Sequence, residues 1–299
     1  MTHFSVITKN RTNPAYGGAL VGARLVATQY GVEIRPLAPE TPDDVEQQCA
    51  LVRQAIAEGP QAIILLPAHA SGLNHAIHQV NKAGIPLFLF VSEPTAGRWV
   101  FYVGSDSERM AFNLGMHLLK SLPHDAKVAT IDGHPGSITT PQRHQGFLDA
   151  IERFPGVEIL DAISGHYQYA PGREATLELL RRHARIDGLL VGNDLMAMGA
   201  LAALGETGRK AAVVSINGTP DAIAAVRRGE LMATASFDTF RFGCLVVEAA
   251  VRHLRGEAVP RRIVLPADII DDANAVEWDK PYEHRTPPDW ANAVVAYAA

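Results

Sequence analysis

The chain has 299 residues, 47% of them hydrophobic, and a formal net charge of −5. That is long and apolar enough for two full cores. The mild acidity, without any Lys/Arg block, argues against a nucleic-acid groove or an anionic membrane surface as partner. No apolar run approaches the roughly 20 residues that span a bilayer. The opening "MTHFSVITK" runs directly into a strand, so the expectation is a cytosolic protein or one whose leader has been removed. Cys49 and Cys244 lie far apart without a motif and read as buried small hydrophobes rather than a disulfide.

Taken in order, "FSVIT" is a strand, followed by a helix from about Pro14 to Tyr30 and by the strand "VEIRPL". Thr41 and Pro42 look like an N-cap and a first-turn proline, with Asp43 and Asp44 favourable near the positive helix end. Val45, Cys49, Val52 and Ile56 share one face of that helix, which Gly59 ends. "AIILLP" is a short continuous apolar run suited to a strand buried on both faces of a parallel sheet. A helix from Ser71 to Ala83 and the strand "IPLFLFV" follow. The pattern then restarts. "VFYVGSDSERM" is a strand entering a helix capped by Ser105, with Glu108 completing a capping box. "KVATID", "VEILDAIS", "GLLVGN", "AVVSING" and "LMATASF" are strands, with helices near residues 140–154, 171–184, 194–207 and 219–228 between them.

The repeat predicts an α/β fold of two doubly wound, parallel-sheet lobes. The helix from about Thr239 to Arg255 comes too late for the second lobe and is expected to return to the first. The expected divisions are 1–104 with 239–264 for one lobe, 105–236 with 267–280 for the other, and a tail over 281–299 ordered through Trp278 or Trp290.

Ligands of open α/β sheets bind outside the carboxyl ends of the strands. There the first lobe offers Asn13, Tyr16, His69, Ser92 and Glu93. The second offers His134, Arg143, His166, Tyr167, Asn193, Asp194, Asn217, Phe237 and Asp238. Amides, a guanidinium and carboxylates provide fixed donors and acceptors for hydroxyls, and aromatic faces stack on the C–H faces of a sugar ring. Taken singly, Asn, Asp and Ser are as well explained by turns and caps, and Asp194 is read as a helix cap. Their presence in both lobes favours a site.

The stretches "ITKNRTNPAYGG", "PQRHQGFLDAI", "GNDLMAMGALAAL" and "VVSINGTPDAIAAVRRGEL" together resemble the type I periplasmic sugar-binding proteins of the ribose-binding kind, which feed ABC importers. The resemblance covers roughly residues 3–270 and implies two lobes joined by three strands, near residues 104–106, 236–238 and 265–268. It also implies a monosaccharide or polyol buried as the lobes close, a membrane permease as partner, a monomer, a periplasmic location, and neither catalysis nor cofactor. By the same resemblance Asn13 presents its amide and Tyr16 and Tyr167 form an aromatic sandwich; Arg143 clamps the sugar, and Asn193 is the amide of the second lobe. Three positions depart from the ribose-binding pattern. "FVSEP" replaces an Asp-Arg pair, leaving Ser92 or Glu93 to serve; Asn217 stands for an aspartate; Phe237 stands for a glutamine. A hydroxyl facing an unsuitable partner costs about 1–3 kcal/mol, so the substrate class carries over and ribose itself does not.

Other motifs are weaker. His69, His75 and His78 lie close together but lack HExxH or a Cys partner, and read as a solvated helix face rather than a metal site. "GGALVG" matches neither GxGxxG nor a P-loop, and no GxSxG elbow occurs. The alternative function is a ligand-sensing domain like that of the lac-repressor family, without its DNA-binding segment.

Overall fold

Short runs of Ile, Val, Leu and Phe become central strands, and the longer periodic segments between them become helices. The computed structural model describes residues 2–298. In chain order it contains β1 (His3–Ile7), α1 (Pro14–Gln29), β2 (Glu33–Leu37), α2 (Val45–Glu58), β3 (Ala62–Leu65), α3 (Asn74–Lys82), β4 (Leu87–Phe90) and β5 (Phe101–Gly104). There follow α4 (Ser107–Leu119), β6 (Lys127–Asp132), α5 (Thr139–Ile151), β7 (Glu158–Ser164), α6 (Tyr169–Arg182), β8 (Gly188–Val191) and α7 (Asp194–Thr207). Next come β9 (Ala212–Asn217), α8 (Pro220–Arg227), β10 (Ala233–Ser236), α9 (Thr239–Leu254), β11 (Arg262–Val264) and β12 (Ile269–Ile270). The last elements are α10 (Ala275–Trp278), a 3-10 turn at Tyr282–His284 and α11 (Trp290–Tyr297).

These elements form two units. The first comprises Met1–Ser105, Asp238–Pro266 and Pro281–Ala299; the second comprises Asp106–Phe237 and Ala267–Lys280. The chain passes between units at residues 105–106, 237–238, 266–267 and, once more, 280–281. That fourth passage carries the segment expected as a tail into the first unit. There the Trp290 ring lies 6.0 Å from Phe101, with the Arg252 guanidinium 5.4 Å above it.

The first sheet has the order β11-β5-β4-β3-β1-β2 with every pair parallel. The second has the order β12-β10-β9-β8-β6-β7, parallel except where β12 joins β10. Every residue of β3, β4 and β8 is buried, as helices on both faces of a parallel sheet require. In each sheet the first strand of the unit lies between the second and the third, so the strand order reverses beside it. Connections leaving two such neighbours diverge to opposite faces and open a crevice at their carboxyl ends. The registers Ile7↔Leu65 and Ile131↔Val191 bring those ends level.

Helix α9 packs on α1, β4 and β5 within the first unit. The two helices approach closely through glycines. A Cβ on Gly22 would stand 2.2 Å from the Phe240 carbonyl oxygen, and one on Gly243 would stand 2.0 Å from that of Ala19. The last glycine of "GGALVG", Gly22, therefore serves helix packing. Cys244 is buried beside this contact, and burial pushes its thiol up to about 12. Thiolate is the reactive form. In native protein at mildly alkaline pH, iodoacetamide is expected to leave Cys244 unmodified over a period that fully modifies the denatured chain. Mass spectrometry reads the difference, and equal labelling would show that the α1–α9 contact opens.

The helix starts differ from expectation at four places. Asp44, not Thr41, caps α2, accepting from the Gln47 N–H at 2.8 Å, because Asp43 adopts φ 61° and breaks the helical path ahead of it. Asp106, not Ser105, caps α4, accepting from the Arg109 N–H at 2.9 Å. Asn193 caps α7 by accepting from the Met196 N–H at 2.9 Å, and Asp194 is the first helical residue instead. Helix α3 begins at Asn74 because His69 Nδ1 accepts from the Ser71 and Gly72 N–H groups, holding them in a turn.

Candidate functional site

Within the second unit, five of the expected residues, Arg143, Tyr167, Asn193, Asn217 and Phe237, follow or end β6, β7, β8, β9 and β10 in turn. Arg143 lies in the first turns of α5, which follows β6; it is 4% exposed. Its Nη1 donates to the Gly192 carbonyl beyond β8 at 2.5 Å, so it bridges the two strands where the order reverses. The guanidinium carbon stands 5.2 Å from the Phe237 ring centroid and 5.7 Å from that of Tyr167. Both rings are suited to cation–π contact at these distances. Nε is buried with no hydrogen-bond partner, and no ion pair to Arg143 occurs among the described residues.

Tyr167 is buried and has φ 59°, next to His166 at φ 52°. Two consecutive left-handed residues turn the ring back over the sheet edge. Its hydroxyl is 2.9 Å from Thr139 Oγ1 and accepts from Thr140 Oγ1 at 3.1 Å. Gly133 leaves room for the ring, since a Cβ there would fall 2.0 Å from Tyr167 Cζ. Asn193 spends its amide oxygen on the α7 cap and donates from Nδ2 to the Tyr167 carbonyl at 3.2 Å. It thus positions the aromatic while lying 1% exposed. Asn217 ends β9 with φ 148°, and its carbonyl accepts from the Phe237 N–H at 3.2 Å. Its side-chain amide makes no hydrogen bond among the described residues, which leaves it available to a ligand.

Beneath this cluster lies Asp194, fully buried. Oδ1 accepts from Ser215 Oγ at 2.5 Å and Thr234 Oγ1 at 2.7 Å; Oδ2 accepts from the Thr219 N–H at 2.7 Å and Thr219 Oγ1 at 2.9 Å. These bonds tie the start of α7 to β9, β10 and the start of α8. Burial raises its carboxyl above the usual aspartate range, with the four donors opposing the shift.

In the first unit, Asn13 caps α1, accepting from the Ala15 N–H at 3.0 Å, and Pro14 takes the first helical position, where its missing N–H costs nothing. Tyr16 is buried one turn on and borders a cavity of about 320 Å³ with Asn10, Arg11 and Leu20. Ser92 is buried after β4, and its N–H donates to the Phe90 carbonyl at 2.8 Å, closing a three-residue turn about Val91 at φ 69°. A β-branched residue at positive φ is strained. Glu93 is turned away to an ion pair with Arg262 on β11 at 3.0 Å. The first unit thus holds Asn13 with Tyr16 at the start of α1, and Ser92 after β4.

The sequence reading missed a buried polar group beside Asn13. Lys9 lies 3.6 Å from Asp43 and is 3% exposed. Asn10 Nδ2 donates to Asp43 Oδ1 at 3.0 Å, and Asn10 Oδ1 accepts from the Asn13 N–H at 3.1 Å, so this group sets the α1 cap. The available signal was "TKN" directly after an apolar strand, where a lysine is unexpected. Of the non-glycine residues with positive φ among the described residues, Val91, His166, Tyr167 and Asn217 lie at or just beyond the carboxyl end of a strand, and Asp43 lies in the loop from β2 to α2. Such strain concentrates at functional sites.

Other features carry less. His134 and His166 rings meet edge to face at 5.7 Å, while His75 and His78 sit on the exposed face of α3. No cluster of three or more His, Cys, Asp or Glu able to hold a metal occurs among the described residues. A wider hollow of about 800 Å³ beside α6 is lined by Ile163, Pro171, Leu177 and Arg209, with none of the expected site residues, and is open surface. No described helix is long and apolar enough to cross a membrane.

Comparison with known proteins agrees with the two-unit α/β fold. The family model described as "Periplasmic binding protein domain" matches residues 4–258. The ribose import binding protein of Bacillus subtilis (strain 168) is 27% identical over 88% of this chain and 84% of its own length. The D-apiose import binding protein of Paraburkholderia graminis is 28% identical over 92% of this chain and 89% of its own. The solved structure of an ABC transporter solute binding protein from Bacillus halodurans C-125 with bound myo-inositol superposes with a TM-score of 0.86. It is 25% identical, covering 93% of this chain and 97% of that one. Two parallel-sheet α/β units and a family match over most of the length lead to one assignment: the chain belongs to the periplasmic binding protein family, type I, and is ribose-binding-like.

Proposed function

We propose that this protein is the solute receptor of an ABC importer and binds a monosaccharide or polyol without transforming it. Its relatives are binding proteins rather than enzymes, and their import roles favour a receptor over a transcription-regulator domain. Its site of action is the periplasm and its partner is the membrane permease. In this reading Asn13, Tyr16 and Ser92 of the first unit, and Arg143, Tyr167, Asn193, Asn217 and Phe237 of the second, act on one solute, and the units close on it. Glu93 drops out of the direct contacts because Arg262 occupies it.

The observation that carries this reading is Arg143 in the second unit, held between two aromatic faces at the strand-order reversal with donor capacity left over. Flat rings flanking an oriented fork of N–H donors suit a compact hydroxylated ring. A thermal-shift screen over pentoses, hexoses, deoxysugars and polyols tests it. A solute at 100 times its Kd adds about 2.7 kcal/mol, so a true ligand raises the melting temperature by several degrees. Asn13→Ala and Tyr16→Ala are each expected to weaken the same ligand that Arg143 variants weaken. If no member of the panel shifts melting, the reading fails; if only second-unit variants matter, the two-unit contact fails.

A further inference from the structure

We infer that the solute is a sugar acid, an aldonate or uronate, whose carboxylate is taken by Arg143. The inference rests on the receptor reading above and narrows its substrate class. It follows from the charges each unit buries. In the first unit the buried ammonium of Lys9 has a carboxylate, Asp43, at 3.6 Å. In the second unit the buried guanidinium of Arg143 has none among the described residues: the hydrogen bond it makes there is to a neutral carbonyl, and Nε is sealed from solvent without an acceptor. Two acids at the strand ends of this unit are committed. Asp194 gives both oxygens to Ser215, Thr219 and Thr234, and Asp132 is engaged by His144 at 3.0 Å. The end of β9 carries an amide, Asn217, rather than a carboxylate. A buried cation left unpaired is costly, and an anion that arrives with the ligand removes that cost.

The form of the site selects a carboxylate. Guanidinium N–H groups match the two oxygens of a carboxylate in one plane, and the rings of Tyr167 and Phe237 flank that plane. A phosphate would bring a charge of about −1.5 to −2 and needs more donors than this single cation and its apolar walls offer. The side-chain amide of Asn217, which makes no hydrogen bond among the described residues, remains for the neutral part of the sugar.

Titration calorimetry on the full chain with matched pairs differing only in oxidation to a carboxylate tests this. The pairs are D-glucose with D-glucuronate, D-galactose with D-galacturonate, and D-ribose with D-ribonate; D-glucose 6-phosphate and myo-inositol complete the set. In at least one pair the acid is expected to bind at least tenfold more tightly than its neutral partner, and more tightly than the phosphate. Arg143→Gln, which keeps the length and removes the charge, is expected to shrink that preference to within about twofold, with melting curves confirming the fold. Tightest binding by a neutral sugar, by myo-inositol or by the phosphate overturns the inference and leaves the receptor reading intact. Binding by none of these compounds overturns both. A preference for the acid that survives Arg143→Gln overturns the assignment to Arg143.

Discussion

Arg143→Ala is expected to lower affinity for the bound solute at least tenfold while changing the melting temperature by only a few degrees. The affinity loss follows from removing hydrogen bonds to a charged donor, each worth about 1.5–3 kcal/mol, where about 1.4 kcal/mol is a factor of ten. The fold tolerates the change because two effects oppose each other. The Gly192 carbonyl loses its partner, which costs stability, but a buried guanidinium with an unsatisfied Nε–H is also removed. Calorimetric titration with whichever compound the screen returns reads the Kd. A change of less than about twofold would take Arg143 out of the site, and with it the proposal that the second unit's cluster holds the solute.

Asp194→Ala is expected to act in the opposite way, through the fold. The substitution orphans the buried Thr219 N–H and strips the hydroxyls of Ser215, Thr219 and Thr234 of their acceptor. Each unsatisfied buried group costs about 1–3 kcal/mol, and hydroxyls can rotate towards other acceptors where a backbone N–H cannot. A loss of about 3–5 kcal/mol is expected, at the high end for single substitutions. Asp194→Asn should cost less, because its amide oxygen still accepts. The two variants also differ from the parent in pH dependence. Burial raises the folded-state pKa of Asp194, so across the window from the ordinary aspartate range up to that raised value the native state binds more protons than the unfolded chain. Stability from this group therefore falls as pH rises through that window, and Asp194→Asn removes this contribution. Denaturant unfolding of the three proteins at several pH values measures both effects. A loss below about 1 kcal/mol for Asp194→Ala would show that its hydrogen bonds contribute little net stability.

The pattern of apolar runs and helical periods carried the fold class, because a strand buried on both faces must be continuously apolar and a covering helix must be amphipathic. "AIILLP" and "GLLVGN" could become little else than central strands, and Gly22 of "GGALVG" and Gly243 of "FRFGC" sit where α1 and α9 touch. The candidate residues were legible as chemical types at strand ends. Their partners were not. That Asn193 rather than Asp194 caps α7 depends on which of two adjacent side chains β9 and β10 draw inward, and those strands lie some twenty and forty residues further along. That Glu93 is spent depends on Arg262 arriving on the neighbouring edge strand, and the Lys9–Asp43 pair depends on a left-handed turn after β2. Local sequence specifies dihedral preference and which face of an element is apolar. Which buried charge finds a counter-charge, and which is left open, was decided only when strands distant in the chain came into register, because burial and electrostatic pairing are properties of the assembled environment.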